Sequence, residues 1–255
     1  MAADRPTTTD DAVLGGRLVL RQPRKGHRVG HDAILLAAAC SARPGRHLVD
    51  LGAGVGAAGL AVARRIDDVT VTLVEIEHEL VQFAGVNAAR NNLAARVRAV
   101  RLDVAARPAA FAAAGLAAGR TDHVLMNPPF NAGHHVSPDR RRRLAHRAGP
   151  DTLHGWLRTA ARLLRPAGAL TLIWRADGLD AVLAALVDGF GAVAVLPVHP
   201  KPAAPAIRVL VRAIKGSRAP LSLLPGFVLA DAAGRPTEEA EAVLREAATL
   251  PLAER

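Results

Sequence analysis

Leu48-Val49-Asp50-Leu51-Gly52-Ala53-Gly54-Val55-Gly56 is the stretch from which the rest of this chain can be placed. An apolar run of strand length stops at three alternate glycines, and an Ala-rich segment with helical periodicity follows from Ala57 to Ile66. The pattern is strand, turn, helix. A tight turn needs positive φ, and a main chain without Cβ lets a ligand come into van der Waals contact with the backbone. A nucleotide-like ligand is therefore expected over Gly52 to Gly56.

The turn is ambiguous by itself. Gly54-x-Gly56-x-x-Gly59 also satisfies the dinucleotide fingerprint, with Glu75 at the end of the next apolar run, and a ligand-free helix cap has the same glycines. A second stretch about seventy residues downstream breaks the tie. Asp122 to Met126 reads as another buried strand and runs directly into Asn127-Pro128-Pro129-Phe130. Together the two stretches resemble motifs I and IV of S-adenosylmethionine-dependent methyltransferases that act on a planar nitrogen.

Asn-Pro-Pro-Phe has a chemical rationale. An exocyclic amine on adenine, or a carboxamide nitrogen, is a poor nucleophile because its lone pair is delocalised. Two acceptors holding its N–H groups favour a pyramidal nitrogen, and the Asn127 side-chain oxygen and the Pro128 carbonyl are the candidates. Consecutive prolines fix φ and add no competing donor. Phe130 can stack on the planar group. No metal or covalent intermediate is needed, and positioning alone supplies up to roughly 7 to 11 kcal/mol.

The 255 residues are 50% hydrophobic, enough for one well-buried domain spanning 1–255. Within it, 1–44 read as a basic segment and first helix, 45–215 as the core sheet, and 216–255 as a C-terminal extension. The net charge is +10, carried almost wholly by arginine, since Lys25, Lys201 and Lys215 are the only lysines. That field favours polyanions. Cys40 is the only cysteine, which excludes an intramolecular disulfide and a cysteine zinc site. With no apolar signal core near Met1, a cytoplasmic protein is expected.

Along the chain, Met1 to Asp11 is polar and expected to fray. Gly26-His27-Arg28-Val29-Gly30-His31-Asp32 precedes a helix over Ala33 to Ala39, and its carboxylate and amides serve either a helix cap or a ligand. Further strands are expected at Val69–Val74, Val97–Leu102, Ala169–Trp174, Ala192–Val198 and Ile207–Ile214, the last two as an antiparallel hairpin. Helices are expected at Glu77–Asn91, Thr152–Leu164 with Asp151 as cap, Asp180–Val187 and Glu238–Ala247. Arg107 to Gly119 is undecided. Alternating strands and helices point to a doubly wound, mostly parallel sheet. Glu75 and Asp103 then stand at strand tips, where a ribose diol and an adenine amine can be bound. Arg28 and the run Arg140-Arg141-Arg142-Arg143, with His135, can contact an RNA backbone. His134-His135 lacks spaced carboxylate or cysteine partners, so no metal is expected.

The whole pattern resembles the bacterial adenine-N6 methyltransferases that modify a valine tRNA beside its anticodon. The resemblance runs from about Val13 to Ala247 and is carried by Gly26 to Ala33, Asp50 to Gly56, Val74-Glu75-Ile76-Glu77, Asn127 to Phe130, and Gly226-Phe227-Val228-Leu229. It implies a Rossmann-like class I fold with a seven-stranded sheet. It implies S-adenosylmethionine as cofactor, contacted by Gly30, Asp32, Asp50, Gly52, Gly54, Gly56, Glu75 and Asp103. Asn127, Pro128, Pro129 and Phe130 are the implied catalytic turn, and tRNA is the implied partner. His31 departs from the threonine common in the family. A glutamine-N5 methyltransferase acting on a protein is the nearest alternative, although Phe130 replaces the usual tyrosine there. An NAD-dependent oxidoreductase and a non-catalytic RNA-binding protein also remain open.

Overall fold

The computed structural model describes residues 7–25, 28–129 and 150–254. Phe130, His134, His135 and Arg140 to Arg143 lie outside these residues.

The main sheet is built from β3 (His47–Leu51), β4 (Thr70–Glu75), β5 (Val97–Arg101), β6 (Thr121–Met126), β7 (Leu164–Arg175), β8 (Phe190–His199) and β9 (Arg208–Lys215). Two-residue strands β10 (Ser222–Leu223) and β11 (Phe227–Val228) extend it along β8. The spatial order is β10-β8-β9-β7-β6-β3-β4-β5. β3 to β7 pair in parallel, whereas β9 lies antiparallel between β7 and β8. The expected seven-stranded sheet and antiparallel hairpin are thus present. The return strand of that hairpin inserts into the sheet instead of extending its edge.

Residues alternate between two buried clusters, as a sheet covered on both faces requires. Leu48, Leu73 and Leu125 face α1 (His31–Ala38), α2 (Ala57–Arg65), α3 (His78–Arg90) and α7 (Glu238–Glu246). Val49, Leu51, Val74, Val124 and Met126 face α4 (Pro108–Ala113), α5 (Pro150–Leu163) and α6 (Leu179–Leu186). Two histidines sit among the strands with hydroxyl partners: His47 with Thr72 at 3.1 Å, and His123 with Thr171 at 2.9 Å. Burial pushes the His123 pKa down to about 3, so this ring is neutral in the folded chain.

Arg107–Gly119, undecided from sequence, contains α4, with Pro108 at its start and Gly115 at φ +76 behind it. α5 begins at Pro150, which puts Asp151 inside the helix and not at its cap. The larger correction is at the N-terminus. Thr8–Val13 and Leu18–Pro23 form an antiparallel hairpin, β1-β2, where fraying was expected over residues up to Asp11. Ion pairs hold it: Asp10 accepts from Arg21 and Arg90, each at 2.9 Å.

The outer edge of β2 is closed by two asparagines four residues apart at the end of α3, Asn87 in its last turn and Asn91 at its C-cap. Antiparallel pairing leaves alternate residues with both backbone groups directed away from the partner strand. For Val19, the amide donates to Asn91 Oδ1 (3.0 Å) and the carbonyl accepts from Asn91 Nδ2 (2.9 Å). Asn87 does the same for Arg21, at 2.7 and 3.0 Å, and its Nδ2 also donates to the Val55 carbonyl in the glycine turn (3.0 Å). Both side chains are buried, so their polar groups need these partners.

Candidate active site

The order β6-β3-β4-β5 sets Asn127, the glycine turn, Glu75 and Asp103 side by side along the carboxyl edge of the sheet. Leu51 is in register with Met126, so the chains leave the sheet next to each other as Gly52 and Asn127. The strand order reverses between β3 and β6, and this switch point is where open α/β sheets bind ligands.

The glycines do different work. Gly52, Gly54 and Gly56 all have positive φ (+69°, +57° and +91°). Only Gly54 has open space where a Cβ would stand. A Cβ at Gly52 would lie 2.3 Å from Cη2 of Trp156, and one at Gly56 or Gly59 would meet a Leu73 methyl at 2.8 or 2.4 Å. Gly54 is therefore the point where a ligand can reach the main chain, while Gly56 and Gly59 let α2 close onto β4. The amides of Gly52 and Ala53 both donate to the Val74 carbonyl at 2.9 Å, which fixes the turn against β4.

Glu75 shapes the same turn. It is buried; Oε2 accepts from the Gly54 amide (2.9 Å), and Oε1 accepts from the amides of Ile76 (2.8 Å) and Glu77 (3.0 Å). A carboxylate has about four acceptor positions. Three are used, which leaves one on Oε2 for a ligand hydroxyl beside Gly54. Asp103 is exposed and accepts from the Ala105 amide at 2.8 Å.

Asp50 is buried under α2. Alternation puts it on the Leu48 side of β3, where Oδ2 accepts from the Gly59 amide at 2.9 Å, a first-turn donor of α2. That bond ties the first turn of α2 to β3. Burial pushes its pKa up to about 7, against the Gly59 hydrogen bond and with a smaller contribution from Glu75. Because the folded value exceeds the ordinary 3.8, the folded chain binds the proton more tightly. The resulting stability is complete below about pH 3.8 and is lost as pH rises through 7. Asp50→Asn keeps the acceptor and removes the charge. Its stability relative to the wild type is expected to grow by up to about 4 kcal/mol between pH 4 and pH 8. Urea unfolding at these pH values checks this, since the His123 contribution is common to both proteins; a gap independent of pH would sink it.

Asn127 presents the site's unusual atom. Its Oδ1 is buried and has no hydrogen-bond partner among the described residues. Leaving such an acceptor unsatisfied costs about 1–3 kcal/mol, so its retention calls for an explanation. Pro128 is buried beside it and Pro129 is half-buried.

Gly30 is the N-cap of α1 and Asp32 lies in its first turn, one residue into the helix. Asp32 pairs with Arg208 at 2.9 Å, which ties α1 to the start of β9. Arg28 donates to Asp11 at 2.8 Å and to Thr9 at 3.1 Å. Gln22 donates to Asp11 (2.7 Å) and accepts from the Val29 amide (2.9 Å). Arg28 thus anchors the hairpin to the turn leading into α1. Sequence reasoning missed Trp156, Asn87 and Gln22; only Asn87, polar on an otherwise amphipathic helix, carried a signal.

The family described as Methyltransferase small domain matches residues 27–199. A protein of Tolumonas auensis named tRNA1(Val) (adenine(37)-N6)-methyltransferase is 30% identical over 153 residues, covering 60% of this chain and 61% of its own length. One of the same name from Bacteroides thetaiotaomicron is 28% identical over 158 residues, 61% of this chain and 62% of its own. The chain thus spans about three fifths of these relatives. Among solved structures, an Agrobacterium tumefaciens protein titled a predicted O-methyltransferase superposes with a TM-score of 0.73 at 31% identity. That match covers 86% of this chain and 98% of the other. TrmN from Thermus thermophilus superposes at 0.52 and 21% identity, over 72% of this chain and 47% of its own, a likeness of fold. Among the described residues, no helix is long and apolar enough to cross a membrane.

Proposed function

From the premise that the chain belongs to the Methyltransferase small domain family, we propose that it moves a methyl group from S-adenosylmethionine to the N6 amine of an adenine in RNA, with tRNA as that RNA. The observation that carries the reading is the buried, unpartnered Oδ1 of Asn127 at the switch point. An amine N–H is the complement of that atom. A hydroxyl substrate would need a base to take its proton, and an amide oxygen is too weakly basic for that role.

The cofactor fits the residues present. Gly54 offers an approach to the main chain, and Glu75 has an acceptor position left beside it. S-adenosylmethionine supplies an electrophilic methyl on a sulfonium. The chain's part is to hold the amine. Asn127 Oδ1 accepts one N–H, and the Pro128 carbonyl is placed by the proline pair to accept the other. Both bonds draw the nitrogen lone pair out of conjugation. The net charge of +10 favours a polyanionic substrate and accords with the names of the relatives.

Transfer of labelled methyl to unmodified tRNA, followed by digestion to nucleosides, tests the reading. Label in N6-methyladenosine is the expected result. Label in protein glutamine, or cofactor binding with no label in RNA, would replace RNA as the substrate.

A further inference from the structure

Asn87 and Asn91 bind β2 in the same way. Each accepts at Oδ1 from one outward amide of the strand and donates one Nδ2 proton to the carbonyl of the same residue, Arg21 for Asn87 and Val19 for Asn91. They differ in the second Nδ2 proton. Asn91 uses it inside the helix, on the Asn87 carbonyl at 2.7 Å. Asn87 sends it out of the helix, to the Val55 carbonyl at 3.0 Å, in the glycine turn. Asn87 is fully buried and Val55 is nearly so. Both Nδ2 protons of Asn87 are therefore committed, and a flipped amide would set its oxygen against two carbonyls.

The turn needs such support. Gly52, Gly54 and Gly56 all sit at positive φ, and glycine reaches other backbone regions about as readily. Gly54, the point open to a ligand, is held through its own amide by Glu75 Oε2, and the residue after it is held by Asn87. Glu75 acts from β4; Asn87 acts from α3, with its amide oriented by β2. A turn that is only partly populated in its binding conformation lowers apparent affinity by that fraction. Resting on the methyl-transfer reading, we infer that Asn87 is a positioning residue for S-adenosylmethionine, which presets the glycine turn and links the β1-β2 hairpin to the cofactor site.

The asparagine pair supplies its own control. Asn87→Ala and Asn91→Ala each remove two bonds to β2 and one further N–H bond, and only the first removes a bond to the turn. Calorimetric titration of S-adenosylmethionine and S-adenosylhomocysteine into both variants and the wild type isolates the Val55 contact. Asn87→Ala is expected to weaken binding of either ligand about three- to tenfold, the scale of one hydrogen bond, and Asn91→Ala by less than about twofold. Equal losses in the two variants, or no loss in Asn87→Ala, would overturn the inference and leave both asparagines as supports of the hairpin. The wild type gives a second reading by NMR that does not depend on a variant folding. Saturation with S-adenosylhomocysteine should slow solvent exchange of the Asn87 Nδ2 protons and leave those of Asn91 unchanged; a parallel response, or none, also counts against the link. A wild type that binds neither ligand would instead overturn the methyltransferase reading on which the inference rests.

Discussion

Asn127→Ala is expected to lower kcat for methyl transfer by about 10²- to 10³-fold, the scale of removing one preorganised hydrogen-bonding group that acts at the reacting centre. S-adenosylmethionine affinity should be nearly unchanged, because in the proposed reading Oδ1 meets the acceptor substrate and not the cofactor. The same substitution should not destabilise the protein. In the free enzyme Oδ1 is a buried acceptor without a partner among the described residues, a cost of about 1–3 kcal/mol that alanine removes. The small void left by the amide offsets part of that gain. An inactive variant with an equal or higher Tm is therefore the expected result, to be read from single-turnover rates and thermal unfolding. Activity within tenfold of the wild type, or a drop of several degrees in Tm, would mean that Asn127 serves the fold rather than the chemistry.

Glu75 is expected to behave in the opposite way, because one carboxylate shapes the turn and, in the proposed reading, also meets the ligand. In Glu75→Ala the amides of Gly54, Ile76 and Glu77 lose a charged acceptor. Ile76 is exposed enough for water to replace its bond; Gly54 is less so. A loss of about 1–3 kcal/mol in stability follows, with cofactor affinity down about a hundredfold or more. Glu75→Gln separates the two roles. Its size is right, but its NH2 group must face an amide donor, so the turn is disturbed while the bulk is kept. Calorimetry and urea unfolding on both variants check this. Cofactor affinity within fivefold of the wild type in Glu75→Ala would remove Glu75 from the site.

The sheet was readable because its strands are apolar on both faces and its helices carry a 3.6-residue period. Alternation along Leu48 to Leu51 even contains the placing of Asp50 with Leu48, towards α2. What resisted reading depends on distant partners. β1 is Thr-Thr-Asp-Asp-Ala-Val, polar enough to pass for a frayed end, and its hairpin is secured by Asn87, Arg90 and Asn91, some seventy to eighty residues away. The position of β9 between β7 and β8 is a matter of topology, which the hairpin pattern leaves open. The glycine turn gave the site, but the division of labour among its glycines did not show, because Trp156 and Leu73 fill spaces that local sequence cannot name.

The asparagine pair at the end of α3 has a consequence for how copies of this chain meet. A strand whose outward amides and carbonyls are free is a template for another chain's strand. On β2 those groups at Val19 and Arg21 are already taken by Asn87 and Asn91, which act as a false neighbouring strand made of side chains. That edge cannot recruit a foreign segment without first breaking four part-buried hydrogen bonds. The end of α3 thereby closes the β2 side of the hairpin to edge-to-edge association at high concentration.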